Sequence, residues 1–467
     1  MKNSSGEVIV DFCFRRAGRI ILAASALLLV PSFVTVPSAK AQDAAAAQPN
    51  WKDRDEYDLF TKMSGTADMK ARLDLLKTWE DKYPKTEFVT MRNQYFMDTY
   101  AHLAGTDPSQ RQALLTKAQD VLKTNPKDPV TLFLVCIWGP ITGGSSPSPD
   151  LVSQVDSAAH TLISNADQFF VDTAKPKGLS DDDWHKAKIL RLAKAHQAIA
   201  WADISKKDFA GAESEYRESL TVYPDDAPTS SQFGKMLFEE KKYPEALFEY
   251  ARAGQYSGPG ATLPPAGRQQ ALDFFNKTYK NFHGGDDGKD QVLAQAKSSA
   301  VPPPGFTIVS AADLAQKDAD AINKRIQSDP AFGLWYSLKA NLTGDKGADY
   351  FAGNVKEYEL PGGTPFGTPP SPVKDFTGTI LSVEPADKPI KVTLGVEDPT
   401  KADATLIFTT PIPEAALTKI KVGEKIDFTG VVDSFNKDPY MLTFKDPEVA
   451  GVQLAPPPAR KAAKKRR

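Results

Sequence analysis

The chain has 467 residues, a net charge of −2, 41% hydrophobic and 25% charged residues, ordinary values for a globular protein long enough for two or three domains. So balanced a charge says nothing about partners. Two cysteines, Cys13 and Cys136, exclude a disulfide framework, and the 36 prolines cluster between segments as punctuation.

Residues 1–41 read as a secretory signal peptide. Lys2, Arg15, Arg16 and Arg19 form a basic start, and residues 20–36 are an apolar run broken by Pro31. Ala39-Lys40-Ala41 is a small-x-small cleavage site, so Gln42 is the expected first mature residue. The run falls short of the roughly 20 residues that span a bilayer. The expected location is therefore periplasmic or secreted, with an uncleaved anchor as the alternative. Cys13 leaves with the signal, and Cys136, inside "VTLFLVCIWGP", is expected to be a buried small hydrophobe.

Residues 42–51 form a linker. Helical periodicity then begins. Residues 55–83 predict a divergent hairpin whose second helix carries Leu73, Leu76 and Trp79 and closes at Pro84. A second hairpin pairs residues 88–104 with 110–124. The apolar run 131–138 is expected to be buried, residues 139–150 to be a loop, and residues 151–170 to be an amphipathic helix. Residues 180–183 offer N-caps for a long helix from Trp184.

Between residues 193 and 254 one unit occurs twice. Ala212 and Ala246 lie 34 residues apart, and around them Ala200 matches Gly234, Phe209 matches Tyr243, Tyr216 matches Tyr250, and Ser219 matches Ala253. The small residues let two helices approach closely, the aromatics fill the groove towards the next helix, and Pro224 stops the first copy. This pattern resembles the tetratricopeptide repeat (TPR) family. The family's first-helix tryptophan is replaced by His196 and Ser230, and Gly258 stands in place of the second closing proline. The resemblance implies a TPR-like stack of hairpins over residues 52–254. It also implies a partner groove along the first helices, lined by Gln197, Trp201, Ile204, Ser231, Lys235 and Phe238.

"YSGPGATLPPAG" ends the array, and residues 255–359 read as a helical extension and cap: helices over 268–282, 291–298, 310–328 and 332–342, and an ambiguous segment over 348–359. The helix over 310–328 has few apolar anchors and is expected to be exposed on most sides. Residues 360–373 are a Pro/Gly linker and the clearest predicted boundary.

Beyond the linker the period becomes two. Strands are predicted over 376–383, over 390–396 with Ile390, Val392, Leu394 and Val396 on one side, around Leu406 and Phe408, over 422–435, and around Tyr440, Leu442 and Phe444. "PEAALTKI" predicts a short helix before the fourth strand, and Gly430 marks a bend in it. This order over residues 374–448 resembles an OB-like barrel. The inferred outward residues Lys391, Thr393, Gly395, Glu397, Thr405, Ile407 and Thr409 include no aromatic and one base, which argues against nucleic acid. Residues 449–467 are a basic tail, with six Lys or Arg among the last eight residues, suited to an anionic envelope surface.

The fold expected is thus mainly α: a TPR-like α-solenoid followed by a small five-stranded OB-like barrel. No metal-binding, nucleotide-binding or nucleophile motif stands in the sequence, and no cofactor is implied. The expected function is a non-enzymatic exported scaffold or adaptor for protein partners; the alternative is an envelope-polymer (glycan or polyanion) binder led by the β module.

Overall fold

A computed structural model describes residues 51–361 and 373–453 of the protein. The expected signal peptide, the linker behind it up to residue 50, most of the Pro/Gly linker and most of the basic tail lie outside these described residues. The chain forms two compact units that divide between Ala311 and Ala312.

The first unit is a run of helical hairpins: α1 (Arg54–Ser64) with α2 (Met69–Lys82), α3 (Val89–Thr106) with α4 (Gln110–Thr124), and α5 (Pro129–Gly143) with α6 (Pro149–Ser164). A short turn of helix, α7 (Ala166–Phe169), leads on to α8 (Asp181–Lys206) with α9 (Phe209–Val222), α10 (Ala227–Glu239) with α11 (Tyr243–Gln255), and α12 (Pro265–His283) with α13 (Lys289–Ser298). Local chemistry sets the starts. Asp53, Asp68, Asp128, Ser148, Ser180, Asp208 and Asp226 each accept a backbone N–H from the first turn that follows them.

Most helices pack on the next, α13 packs back on α11, and the first helices α3, α5 and α8 touch in succession, so the hairpins bury their apolar sides on their neighbours. One core cluster runs from Met63 to Ile199, and two further clusters continue it through Tyr216 and Phe233 to Phe275 and Tyr279. The predicted loop over 139–150 begins late, because α5 continues to Gly143. Gly139 lies inside that helix for a steric reason: a Cβ there would fall 2.1 Å from Cγ2 of Val155 on α6.

The 34-residue recurrence extends to the backbone. Lys207 and Lys241 both take left-handed φ, 64° and 61°. Asp208 N–H donates to Asp203 O (2.8 Å) and Lys242 N–H to Leu237 O (2.9 Å), so α8 and α10 end on the same Schellman turn. Within the second copy Gly234 performs the predicted close approach: a Cβ there would lie 3.1 Å from Glu249 Cβ and 3.3 Å from Ala246 O. Ala200, Ala212, Tyr216, Ser219, Ala246, Tyr250 and Ala253 are buried, Phe209 and Tyr243 are half-buried, and Pro224 is exposed at its turn.

The second unit opens with α14 (Ala311–Ser328), which buries no residue, as expected, and continues through α15 (Pro330–Thr343) and α16 (Gly347–Asn354). Strands β1 (Glu359–Leu360), β2 (Phe376–Glu384), β3 (Lys391–Gly395), β4 (Ala404–Ile407), β5 (Lys425–Lys437) and β6 (Tyr440–Val449) follow, with a 3₁₀ turn at Ala416–Thr418 before β5. The order β5-β2-β3-β4-β6 closes through a β5–β6 pairing into a five-stranded barrel, and β1 adds to β5 outside the ring. Every pairing is antiparallel except β4 with β6. The strand order with its short helical turn before the fourth barrel strand is the arrangement predicted.

Phe376, Ile380, Val392, Leu394, Leu406, Phe428, Val432, Leu442 and Phe444 fill the barrel and are fully buried. Gly430 sits at a register shift of β5 against β6, where a Cβ would press on Pro447 at 3.0 Å, so the bend falls where predicted. Ile390 departs from expectation: it precedes β3 and is 41% exposed.

The division at Ala311 differs from the predicted boundary at residues 360–373. Trp335, Leu338 and Leu342 of α15 belong to the barrel core, and the segment over 348–359 resolves into α16 and the start of β1. Trp335 is fully buried against Phe376 and Phe444, and its Nε1 donates to Asp403 Oδ2 at 3.1 Å. Asp403 also accepts the Val396 and Glu397 N–H groups at 2.7 and 2.9 Å. A carboxylate with three donors locks the helix to the β3–β4 turn.

Candidate functional site

The groove predicted from Gln197, Trp201, Ile204, Ser231, Lys235 and Phe238 is not one open surface. Gln197 belongs to a polar network between α8, α9 and α10: its Nε2 donates to Ser219 Oγ (3.0 Å) and Asp226 Oδ2 (3.1 Å), and Lys194 Nζ reaches the same Asp226 oxygen at 3.0 Å. Ser219 Oγ donates onward to Ala193 O at 3.1 Å. Burial pushes the Asp226 carboxyl up, but Lys194 and the backbone N–H of Thr229 outweigh it and hold it below the usual range.

Trp201 donates from Nε1 to Gly144 O at 2.9 Å, and its ring occupies the space beside Gly143, where a Cβ would fall 2.6 Å from it. Ile204 packs on the core below, and Ser231 is buried. Phe238 meets Tyr243 and Phe274 edge-on, each at 5.2 Å. Lys235 stays exposed, 3.9 Å from Glu239. The physical reason is the neighbouring hairpin on each side: the glycine end of α5 admits Trp201, and α12 covers Phe238.

A recess along the first helices lies between α3 and α5. It measures about 90 Å³ and is lined by Thr90, Asn93 and Gln94 of α3, the end of α4, and Asp128 and Thr131 at the start of α5. Thr131 is fully buried and its Oγ1 has no hydrogen-bond partner among the described residues. The side-chain amides of Asn93 and Gln94 are likewise uncommitted there. Sequence reading passed over these residues because polar side chains on an amphipathic helix look like any solvated face.

A second feature is internal. Glu249 on α11 is fully buried, and neither of its carboxyl oxygens closes a hydrogen bond of good geometry among the described residues. Burial pushes it up to about 8, against the pull of Ser230, Arg252 and Arg217. Arg252, also buried, donates to Ser299 O at 2.7 Å and to Pro224 O, and so ties the turn after α9 to the end of α13. This cluster holds elements together.

Of the barrel residues inferred to face outward, Lys391, Thr393, Glu397 and Ile407 are half-buried and Thr409 is exposed, whereas Gly395 and Thr405 are buried. Thr405 lies under β6, where its hydroxyl meets Met441 Sδ at 3.1 Å. Among the described residues no group of three or more His, Cys, Asp or Glu side chains is arranged to hold a metal. Cys136 is buried, and burial pushes its thiol up to about 12, far from a reactive thiolate. Compared with known proteins, the chain matches no family model and no curated relative.

Proposed function

We propose that the protein is an exported, non-enzymatic scaffold whose hairpins, of the tetratricopeptide type, hold a partner protein. The observation that carries this reading is the recess between the first helices α3 and α5, with the uncommitted amides of Asn93 and Gln94. An amide both donates and accepts, and so suits the main chain of an extended partner segment. The repeat reading is supported by the recurrence at 34 residues of both the side-chain pattern and the helix-ending turn at Lys207 and Lys241. Export is supported by the basic start, apolar run and Ala39-Lys40-Ala41 of the first 41 residues, and the basic tail adds attraction to an anionic envelope surface.

A photo-crosslinking side chain placed at Gln94 of the full chain tests the reading in living cells. A discrete protein adduct from position 94, absent from exposed Lys241 at the far turn, is expected. Adducts from neither position, or the same adducts from both, overturn it. The N-terminal residue of the recovered protein tests export separately, with Gln42 expected.

A further inference from the structure

The second unit carries a cleft of about 450 Å³ on the outer face of β2, within the range of roughly 300–1,000 Å³ usual for small-ligand sites. Thr377 and Thr379 face it, alternating with the inward Phe376 and Ile380. Gly395 and Val396 at the end of β3 border one side, and Lys425, paired in register with Thr379, borders the other. The elbow between α14 and α15 supplies Arg325, Asp329 and Phe332.

The polar groups differ in how far they are committed. Arg325 lies 3.7 Å over the Phe332 ring and donates to Glu397 O (2.7 Å) and Val396 O (3.5 Å). These contacts fix the guanidinium but use two of its five N–H groups. Among the described residues neither Arg325 nor Lys425 is paired with a carboxylate. Asp329 spends one oxygen capping α15 at Phe332 N (3.0 Å), which leaves the other as an acceptor. The Thr377 hydroxyl donates to Asp427 at 2.6 Å and keeps its lone pairs, and the Thr379 hydroxyl is uncommitted.

Two unpaired cations against the single carboxylate of Asp329 leave the cleft net positive, which calls for an anion. Two hydroxyls and a spare carboxylate oxygen beside them call for several hydroxyl groups. Phe332 is the one aromatic residue among those that line the cleft, and Arg325 covers one face of its ring, a poorer platform for a nucleobase than the polar groups are for hydroxyls. We propose that this cleft binds an acidic sugar, with its carboxylate held by Arg325 and Lys425 and its hydroxyls by Thr377, Thr379 and Asp329. The proposal does not rest on the scaffold reading, because the cleft is built wholly from the second unit.

Titration calorimetry of the full chain with digalacturonate, neutral galactobiose and inorganic phosphate tests it. Binding of digalacturonate that weakens with added salt, and no binding of galactobiose, is expected. Lys425→Gln should weaken digalacturonate about tenfold or more, the size of one charge-assisted contact. Arg325→Gln should do the same, and because Arg325 also ties α14 to the barrel, the exposed and unpaired Lys425 keeps the test clear of misfolding. Absence of digalacturonate binding, or an unchanged affinity in Lys425→Gln, overturns the proposal. Phosphate that binds as tightly and displaces digalacturonate overturns the sugar assignment, leaving a general oxyanion site.

Discussion

The carboxyl of Glu249 sits where water does not reach, between Gly234 and Ser230 of the facing helix. Its folded pKa, about 8, lies above the ordinary 4.5, so the folded protein binds a proton that the unfolded chain releases. Stability contributed at this position is therefore unaffected below pH 4.5, falls by about 1.4 kcal/mol per unit as pH rises towards 8, and levels off above. Glu249→Gln keeps the shape and removes the titration. Urea unfolding of both proteins from pH 5 to 9 should show the advantage of the glutamine variant growing up to about pH 8. An advantage that is constant with pH means that the carboxyl is ionised and solvated in the folded state.

The hairpin of α10 and α11 depends on how closely its two helices approach. At Gly234 a side chain meets Glu249 Cβ and a backbone carbonyl, neither of which can move without shifting α11. Gly105, near the end of α3, has nothing within 4 Å of a built Cβ. Gly234→Val should cost about 1–3 kcal/mol, the usual penalty of overpacking. Gly105→Ala should be neutral or stabilise by up to about 1 kcal/mol, because alanine favours the helix. Denaturant melts of the pair check both; a valine at 234 that leaves the midpoint unmoved contradicts the close approach.

The two units differ in what each needs in order to fold. The barrel's core includes Trp335 from α15, and without that helix Phe376 and Phe444 lose cover and Asp403 loses a donor. A chain beginning at residue 312 should therefore unfold cooperatively, while one beginning at residue 374 should expose apolar surface and bind a hydrophobic dye. If the shorter chain melts as sharply and at the same temperature, α15 is an accessory to the barrel.

Much of this architecture was legible from local pattern. The hairpins, the 34-residue recurrence, the small residues at Gly234 and Ala246, the strands and the bend at Gly430 all follow from periodicity, breakers and residue size, which act over a few residues and leave their mark in the order of the chain. Surface and partnership were not legible in the same way. Gln197, Trp201 and Phe238 look like groove residues until α5, α10 and α12 pack beside them. Trp335 lies before the linker yet completes the barrel, and Arg325, Thr379 and Lys425 are far apart in sequence and share a cleft only because β2 runs between β3 and β5. Periodicity shows which face of an element is buried; which neighbour covers it, and what is left open, depends on contacts between distant segments that no local pattern records.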